Sequence, residues 1–229
     1  MMPDYGRAFA LLRQQAVQDG GVWEAYTRHQ FVEGLRDGSL PREAFLHYLV
    51  QDYLFLIHFA RAWALAVVKS DGLDEMKQAS ATVDGLVNIE IAHHIGVCAA
   101  HGISQAQLDS AAEHPANMTY TRYVLDAGVS GDLADLLVAL MPCVLGYGEI
   151  GARLARETVA DNPYAEWINT YAGSDYQQVC TEAGQLLDRA LERRIGADFA
   201  ASPRWQRLCN RFTTATRLEV DFWGMGLTP

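Results

Sequence analysis

The 229-residue sequence predicts an all-α fold, a bundle with long central helices. Three observations carry this reading. Apolar residues recur at intervals of three and four, as in Leu49, Phe55, Leu56 and Phe59, and Leu136, Val138, Leu140 and Val144 contribute to a second such stripe. The turn and capping signals are those of helix ends. No clear alternating β segment, no glycine-rich phosphate loop and no internal repeat interrupts the pattern.

About nine helices follow in order. The first two span 5–19 and 22–36, and "DGSLPREAF" turns the chain at Asp37-Gly38. Pro41 then sits in the first turn of a helix over 41–69, where its missing N–H costs nothing. A helix over 73–101 ends with Gly102 at the position that favours a left-handed glycine. Ser104 and Gln107 form a capping box for 104–112, and helices over 116–127 and 131–160 come next. Asn162 caps a helix opening at Pro163 that runs to 195, broken near Gly173, where Ser174 and Gln177 read as a second capping box. Ser202 caps the last helix, 203–226, which opens at Pro203. With only seven prolines and no linker or low-complexity run, one domain over 1–229 is the simplest organisation.

Composition narrows the function classes. Half of the residues are hydrophobic, enough for a sizeable core, and the formal charge is −10 with no Lys/Arg cluster to offset it. A nucleic-acid backbone or an anionic membrane is therefore not an expected partner. The segment "MMPDYGRAFALLRQQ" lacks the basic and apolar regions of a secretory signal. The most apolar window, 48–68, carries Gln51, Asp52, His58 and Arg61 and reads as a buried helix. Cysteines stand singly at 98, 143, 180 and 209, which fits a reducing compartment, and Cys98 and Cys209 read as packing residues.

In a helical bundle, sites are built from polar side chains that interrupt apolar faces. Asp52 lies within the most apolar helix and shares a face with Tyr48, Phe55, Leu56 and Phe59, so an acid stands inside an aromatic wall. In "LMPCVLGYGEIG", Pro142 frees the carbonyl of Val138 and makes room beside Cys143, with Tyr147 one turn on. In "TRLEVDFWGMGL", Glu219 borders the stripe of Leu218, Phe222 and Met225, where apolar rings raise a carboxyl pKa as a general acid requires. Glu90 and His93 form one half of a di-iron carboxylate motif, but no other glutamate has a histidine three residues on. A bracing role for Glu90, His93, His94, Asp84 and His58 stays open beside a metal-binding one. Tyr120, Tyr123, Trp167, Tyr171 and Tyr176 mark two aromatic helix ends.

The order of these features resembles the TenA/thiaminase II family in its cysteine-containing class. The likeness runs from "HQFVEGLRDGSLPREAFLHYLVQDYLFLIHFARA" (29–62) through "LMPC" and "WINTYAG" (167–173) to "LEVDFWGM" (218–225). It implies a heme-oxygenase-like fold without heme, a cytoplasmic homotetramer, no cofactor, and hydrolysis of aminopyrimidines. The substrate so implied is 4-amino-5-aminomethyl-2-methylpyrimidine, converted to the 5-hydroxymethyl compound, with weaker cleavage of thiamin. By the same resemblance Cys143 matches the nucleophile, Glu219 the proton donor and Asp52 the acid that grips the aminopyrimidine. Tyr147, Tyr120 and Tyr171 match substrate-contacting tyrosines. Phe55 stands where many members carry a tyrosine whose hydroxyl sharpens the cysteine, so that hydrogen bond cannot form here.

The residue chemistry agrees with the resemblance. A carboxyl reads the ring-nitrogen/amino edge by two hydrogen bonds, aromatic rings sandwich the flat heterocycle, and a buried acid protonates the ring while a thiol adds to it. Two other classes use parts of the same set. A metal-dependent oxygenase would use Glu90, His93, His94 and Asp84. A non-catalytic pyrimidine-binding module would need the aromatic pocket without Cys143.

Overall fold

A computed structural model describes residues 3–228. Met1 and Met2, which open the segment read as lacking a signal, and Pro229 lie outside the described residues. Within them the chain forms α1 (Arg7–Gln18), α2 (Val22–Thr27), α3 (Gln30–Asp37) and α4 (Arg42–Lys69). The expected helix over 22–36 is two helices because His29 adopts extended backbone and restarts the second, its Nδ1 accepting from the Phe31 N–H at 3.2 Å. Pro41 is the N-cap of α4 rather than part of its first turn.

The expected helix over 73–101 is one rod with a wide turn in it. It comprises α5 (Leu73–Gly85), a π turn (Leu86–Glu90) and α6 (Ile91–Ala100). Gly102 follows in the left-handed region at φ +86. α7 (Gln105–Asp109) carries the capping box read from Ser104 and Gln107. α8 (Pro115–Ser130) is capped by His114, and α9 (Leu133–Glu157) by Asp132 with Asp135 reciprocating.

Three capping expectations, at Asn162, Ser174 and Ser202, are corrected. Asn162 accepts from the Tyr164 N–H at 2.8 Å and donates to the carbonyls of Leu35 and Arg36, so it fastens a turn to α3. The helix itself, α10 (Ala165–Ala172), begins only after Tyr164. Ser174 is already inside the first turn of α11 (Ser174–Ile195), with Gly173 as N-cap and no side-chain cap. A 3-10 turn (Phe199–Ala201) and the Ser202 turn then lead into α12 (Trp205–Gly226), two residues later than expected.

α9 is the central helix, packed by α8, α10, α11 and α12, while α4 leans on α5, α6, α8 and α12. Among the described residues α9 is the one helix long and apolar enough to cross a membrane, yet 94% of its most apolar window is buried in the protein. Its apolarity therefore builds the core. At the heart of that core the Trp223 ring stacks on Phe31 at 4.9 Å and meets Tyr48, Tyr147 and Trp167. Such ring pairs each add about 0.5–1.5 kcal/mol beyond simple burial. Two glycines let α9 approach its neighbours this closely. A Cβ on Gly146 would overlap the Tyr26 ring, and one on Gly151 would stand 2.5 Å from the backbone of Tyr171.

Candidate active site

A cavity of about 760 Å³ opens where α4, α5, the π turn, α9, α10 and α11 converge. α4 contributes Asp52 and Phe55 to its wall, α9 contributes Cys143 and Tyr147, and α10 contributes Tyr171. Five of the seven residues singled out in the sequence therefore share one chamber. The remaining two, Tyr120 and Glu219, are buried outside its lining, with the Tyr120 hydroxyl donating to Glu219 Oε1 at 2.8 Å.

Each functional side chain is held by the helix that carries it. The α4 backbone buries Asp52 to 7% exposure between Tyr48 and Phe55. The Tyr48 hydroxyl accepts from Trp167 Nε1 at 3.3 Å and hydrogen-bonds the Asp52 carboxylate. Burial raises the Asp52 carboxyl to about 7, only partly offset by that bond. Glu219 is 1% exposed, and burial lifts it to about 8, with Tyr120 and Tyr26 pulling the other way. An acid in this state holds its proton at neutral pH and can deliver it.

Cys143 is half-buried at the cavity wall. Desolvation first, then the nearby carboxylates of Glu219 and Asp52, pushes its thiol well above the usual range. It is a thiol at rest. Phe55 packs against Tyr120 at 5.2 Å and Phe59 at 5.5 Å, continuing the aromatic wall without a hydroxyl. Tyr147 and Tyr171 meet edge to face at 5.0 Å, and Tyr171 meets Tyr176 at 4.9 Å. A flat ring entering the chamber finds aromatic surface from α4, α9, α10 and α11.

Sequence reasoning missed Tyr26. This fully buried residue donates to the Pro142 carbonyl at 3.1 Å and also reaches Glu219. It therefore touches the backbone just before the cysteine and the buried acid at once. Its one sequence signal was a tyrosine three residues after Trp23 in a short amphipathic helix, which reads equally well as packing. Tyr176, noted only as part of an aromatic helix end, also lines the chamber and donates to the Val144 carbonyl at 3.2 Å.

The residues of the half-motif part company. Glu90 and His93 line the chamber mouth, Asp84 accepts from Asn88 at 2.7 Å, and His58 sits with Arg61, Arg122 and Glu113 away from the chamber. His94 places Nε2 2.7 Å from the Leu49 carbonyl. Among the described residues no three His, Cys, Asp or Glu side chains are grouped as metal ligands would be. Burial raises Glu90 to about 7.

Fold and site together define a heme-oxygenase-like helical protein with an acid–thiol–aromatic pocket. A Shewanella denitrificans protein described as having a heme oxygenase-like fold superposes with a TM-score of 0.69 at 15% identity, covering 94% of this chain and 92% of that one. The chain belongs to the TENA/THI-4/PQQC family, whose model matches residues 18–228. It is 34% identical over 206 residues to the aminopyrimidine aminohydrolase of Halalkalibacterium halodurans, covering 89% of each chain. A Silicibacter sp. TM1040 protein described as a TenA family transcription regulator has 61% identity and a TM-score of 0.95, covering 98% of each chain.

Proposed function

We propose that the protein is an aminopyrimidine aminohydrolase of thiamin salvage, acting by covalent cysteine catalysis. Its substrate in this reading is 4-amino-5-aminomethyl-2-methylpyrimidine, converted to the 5-hydroxymethyl pyrimidine and ammonia, with thiamin cleaved more slowly. The observation that supports it best is that Cys143 and Asp52 line one aromatic chamber with the buried acid Glu219 in electrostatic reach of both, in a family with members named for this hydrolysis.

In this reading Asp52 grips the ring-nitrogen/amino edge and Tyr147 and Tyr171 pack the ring faces. Glu219 gives its proton to a ring nitrogen as Cys143 Sγ adds to an electron-poor ring carbon. The thiol proton leaves with the amine. Ring electrons expel ammonia from the 5-methylene, water adds its hydroxyl there, the carbon–sulfur bond breaks with the water's second proton restoring the thiol, and the ring nitrogen returns its proton to Glu219. The sum is one water in and one ammonia out. A single domain, a cytoplasmic location and a homotetramer belong to the same proposal, on the family resemblance. A regulatory role on DNA has less support, because the formal charge is −10.

The test is chromatographic turnover of the aminomethyl pyrimidine and thiamin side by side, wild type against Cys143→Ser. Hydroxymethyl pyrimidine is expected from wild type alone, while the variant still binds the product. Near-full activity in the variant would remove Cys143 as nucleophile. Folded wild type that turns over neither compound would remove the hydrolase.

A further inference from the structure

Asp52 has a neighbour that the reaction scheme leaves unused. His94, buried on α6, aims Nε2 at the Leu49 carbonyl across 2.7 Å and holds Nδ1 3.6 Å from Asp52 Oδ2. A carbonyl oxygen only accepts, so Nε2 carries the imidazole proton. In the neutral ring Nδ1 then faces the carboxyl with a bare lone pair. A lone pair opposite a carboxylate is repulsive; the repulsion is relieved when the carboxyl is protonated.

Of the other histidines, His93 shares both cavities with Asp52 and His101 shares one. No lysine or arginine lines either cavity that Asp52 borders. The other acids that act on it are Glu90 from the π turn and Glu219 from α12, both like-charged when ionised. Tyr48 on its own helix donates to it, and Tyr147 and Tyr171 approach from α9 and α10. The thiols of Cys98 and Cys143 also act on it, and Tyr164 and Glu166 share a cavity with it.

We propose that His94 is a positioning residue whose bare Nδ1 opposes ionisation of Asp52 and so presents Asp52 to the aminopyrimidine as a neutral acid. A neutral 4-aminopyrimidine edge has one acceptor, the ring nitrogen, and one donor, the amino N–H. A carboxylate offers two acceptors and mismatches it. A carboxylic acid offers O–H to the nitrogen and C=O to the amino group and matches it. The proton count is the same whether that proton stays on Asp52 or moves onto the ring nitrogen, so binding draws none from solvent while Asp52 is protonated. The tendencies of the two groups agree, since burial raises Asp52 and lowers His94, favouring the form in which both are uncharged.

This inference rests on the aminopyrimidine reading, and the experiment separates the two. The affinity for 5-hydroxymethyl pyrimidine is measured by calorimetry from about pH 5.5 to about pH 8.5 in wild type and His94→Gln, a variant whose amide N–H can favour the ionised carboxylate. The variant is expected to bind about tenfold more weakly near pH 7.5, with the gap closing toward pH 5.5 as Asp52 is protonated in both. A merely structural role would weaken binding by the same factor at every pH, and that result overturns the proposal. Nitrogen NMR of the wild-type histidines needs no variant. Nε2 protonated and Nδ1 bare near pH 7 is the expected state of His94, and an imidazolium there overturns it. If wild type binds no pyrimidine at any pH, the functional reading fails and this one with it; if wild type binds and the two profiles run parallel, only His94 is reassigned.

Discussion

The Tyr120 hydroxyl donates to Glu219 Oε1 across 2.8 Å, and both side chains are shut away from solvent. The bond joins α8 to α12 beneath the cysteine-bearing wall, and it is too weak an offset to keep Glu219 ionised, since burial carries that carboxyl to about 8. The acid is thus held protonated where a proton is needed.

A stability consequence follows from the sign of that shift. A carboxyl raised in the folded state stabilises the fold fully below its unfolded value and loses that contribution as pH rises through the folded one. Glu219→Gln removes the charge but keeps the shape. Its melting temperature is expected to gain on wild type progressively between about pH 5 and pH 9, while turnover falls by at least about 100-fold. Parallel melting curves across that range would mean that Glu219 ionises without cost.

Restoring the hydroxyl that Phe55 lacks tests the state of the thiol. Phe55 lines the same chamber as Cys143, so Phe55→Tyr adds a donor toward a group that burial keeps protonated. The expected outcome is a fall in the apparent pKa of Cys143 in iodoacetamide alkylation and a rise in kcat of a few-fold. An unchanged alkylation profile would show that a hydroxyl at this position does not reach the sulfur.

Charge around the chamber sets its preference among 5-substituents. Glu90, Asp175 and Glu182 line it with Asp52, and no lysine or arginine does. Thiamin monophosphate is therefore expected to have a kcat/KM lower than that of thiamin by roughly 100-fold at low salt, with the gap narrowing as salt screens the acids. Equal rates for the two would place the phosphate outside the chamber.

Packing at Gly146 supports the cysteine from behind. Gly146→Ala would drive a methyl into the Tyr26 ring, whose hydroxyl holds the Pro142 carbonyl. A loss of about 1–3 kcal/mol in stability is expected by denaturant titration, together with lower activity at temperatures where the fold persists. Full stability would mean that Tyr26 can withdraw.

Much of this site was legible before the fold was known. Asp52, Cys143 and Glu219 each break an apolar run, and burial of a polar group is costly enough to make such a break informative. Tyr147 was legible because a residue four positions on lies on the same helical face. What stayed hidden depends on contacts between distant segments. Tyr26 reaches Pro142 and Glu219 only because α2 packs on α9 and α12. The pairing of His94 with Asp52 depends on the approach of α6 to α4, and one sequence alone records no such approach. The helix ends misread at His29, Asn162 and Ser174 share a cause: a polar side chain near a helix start can serve the turn, the neighbouring helix or the cap, and tertiary packing selects among them.

The π turn at Leu86–Glu90 also fixes angular phase along its rod. Each residue of an α-helix turns the chain by about 100°, and a π turn accommodates one residue beyond the α-helical count. Removing a single residue there would let α5 run straight into α6 as uninterrupted helix. Side chains beyond it would stay nearly in phase, whereas closing all five residues as α-helix would swing them by about 100°, carrying His94 off the Leu49 carbonyl and out of line with Asp52. The wide winding of this short segment, more than the identity of its residues, is the inherited feature that keeps the histidine aimed.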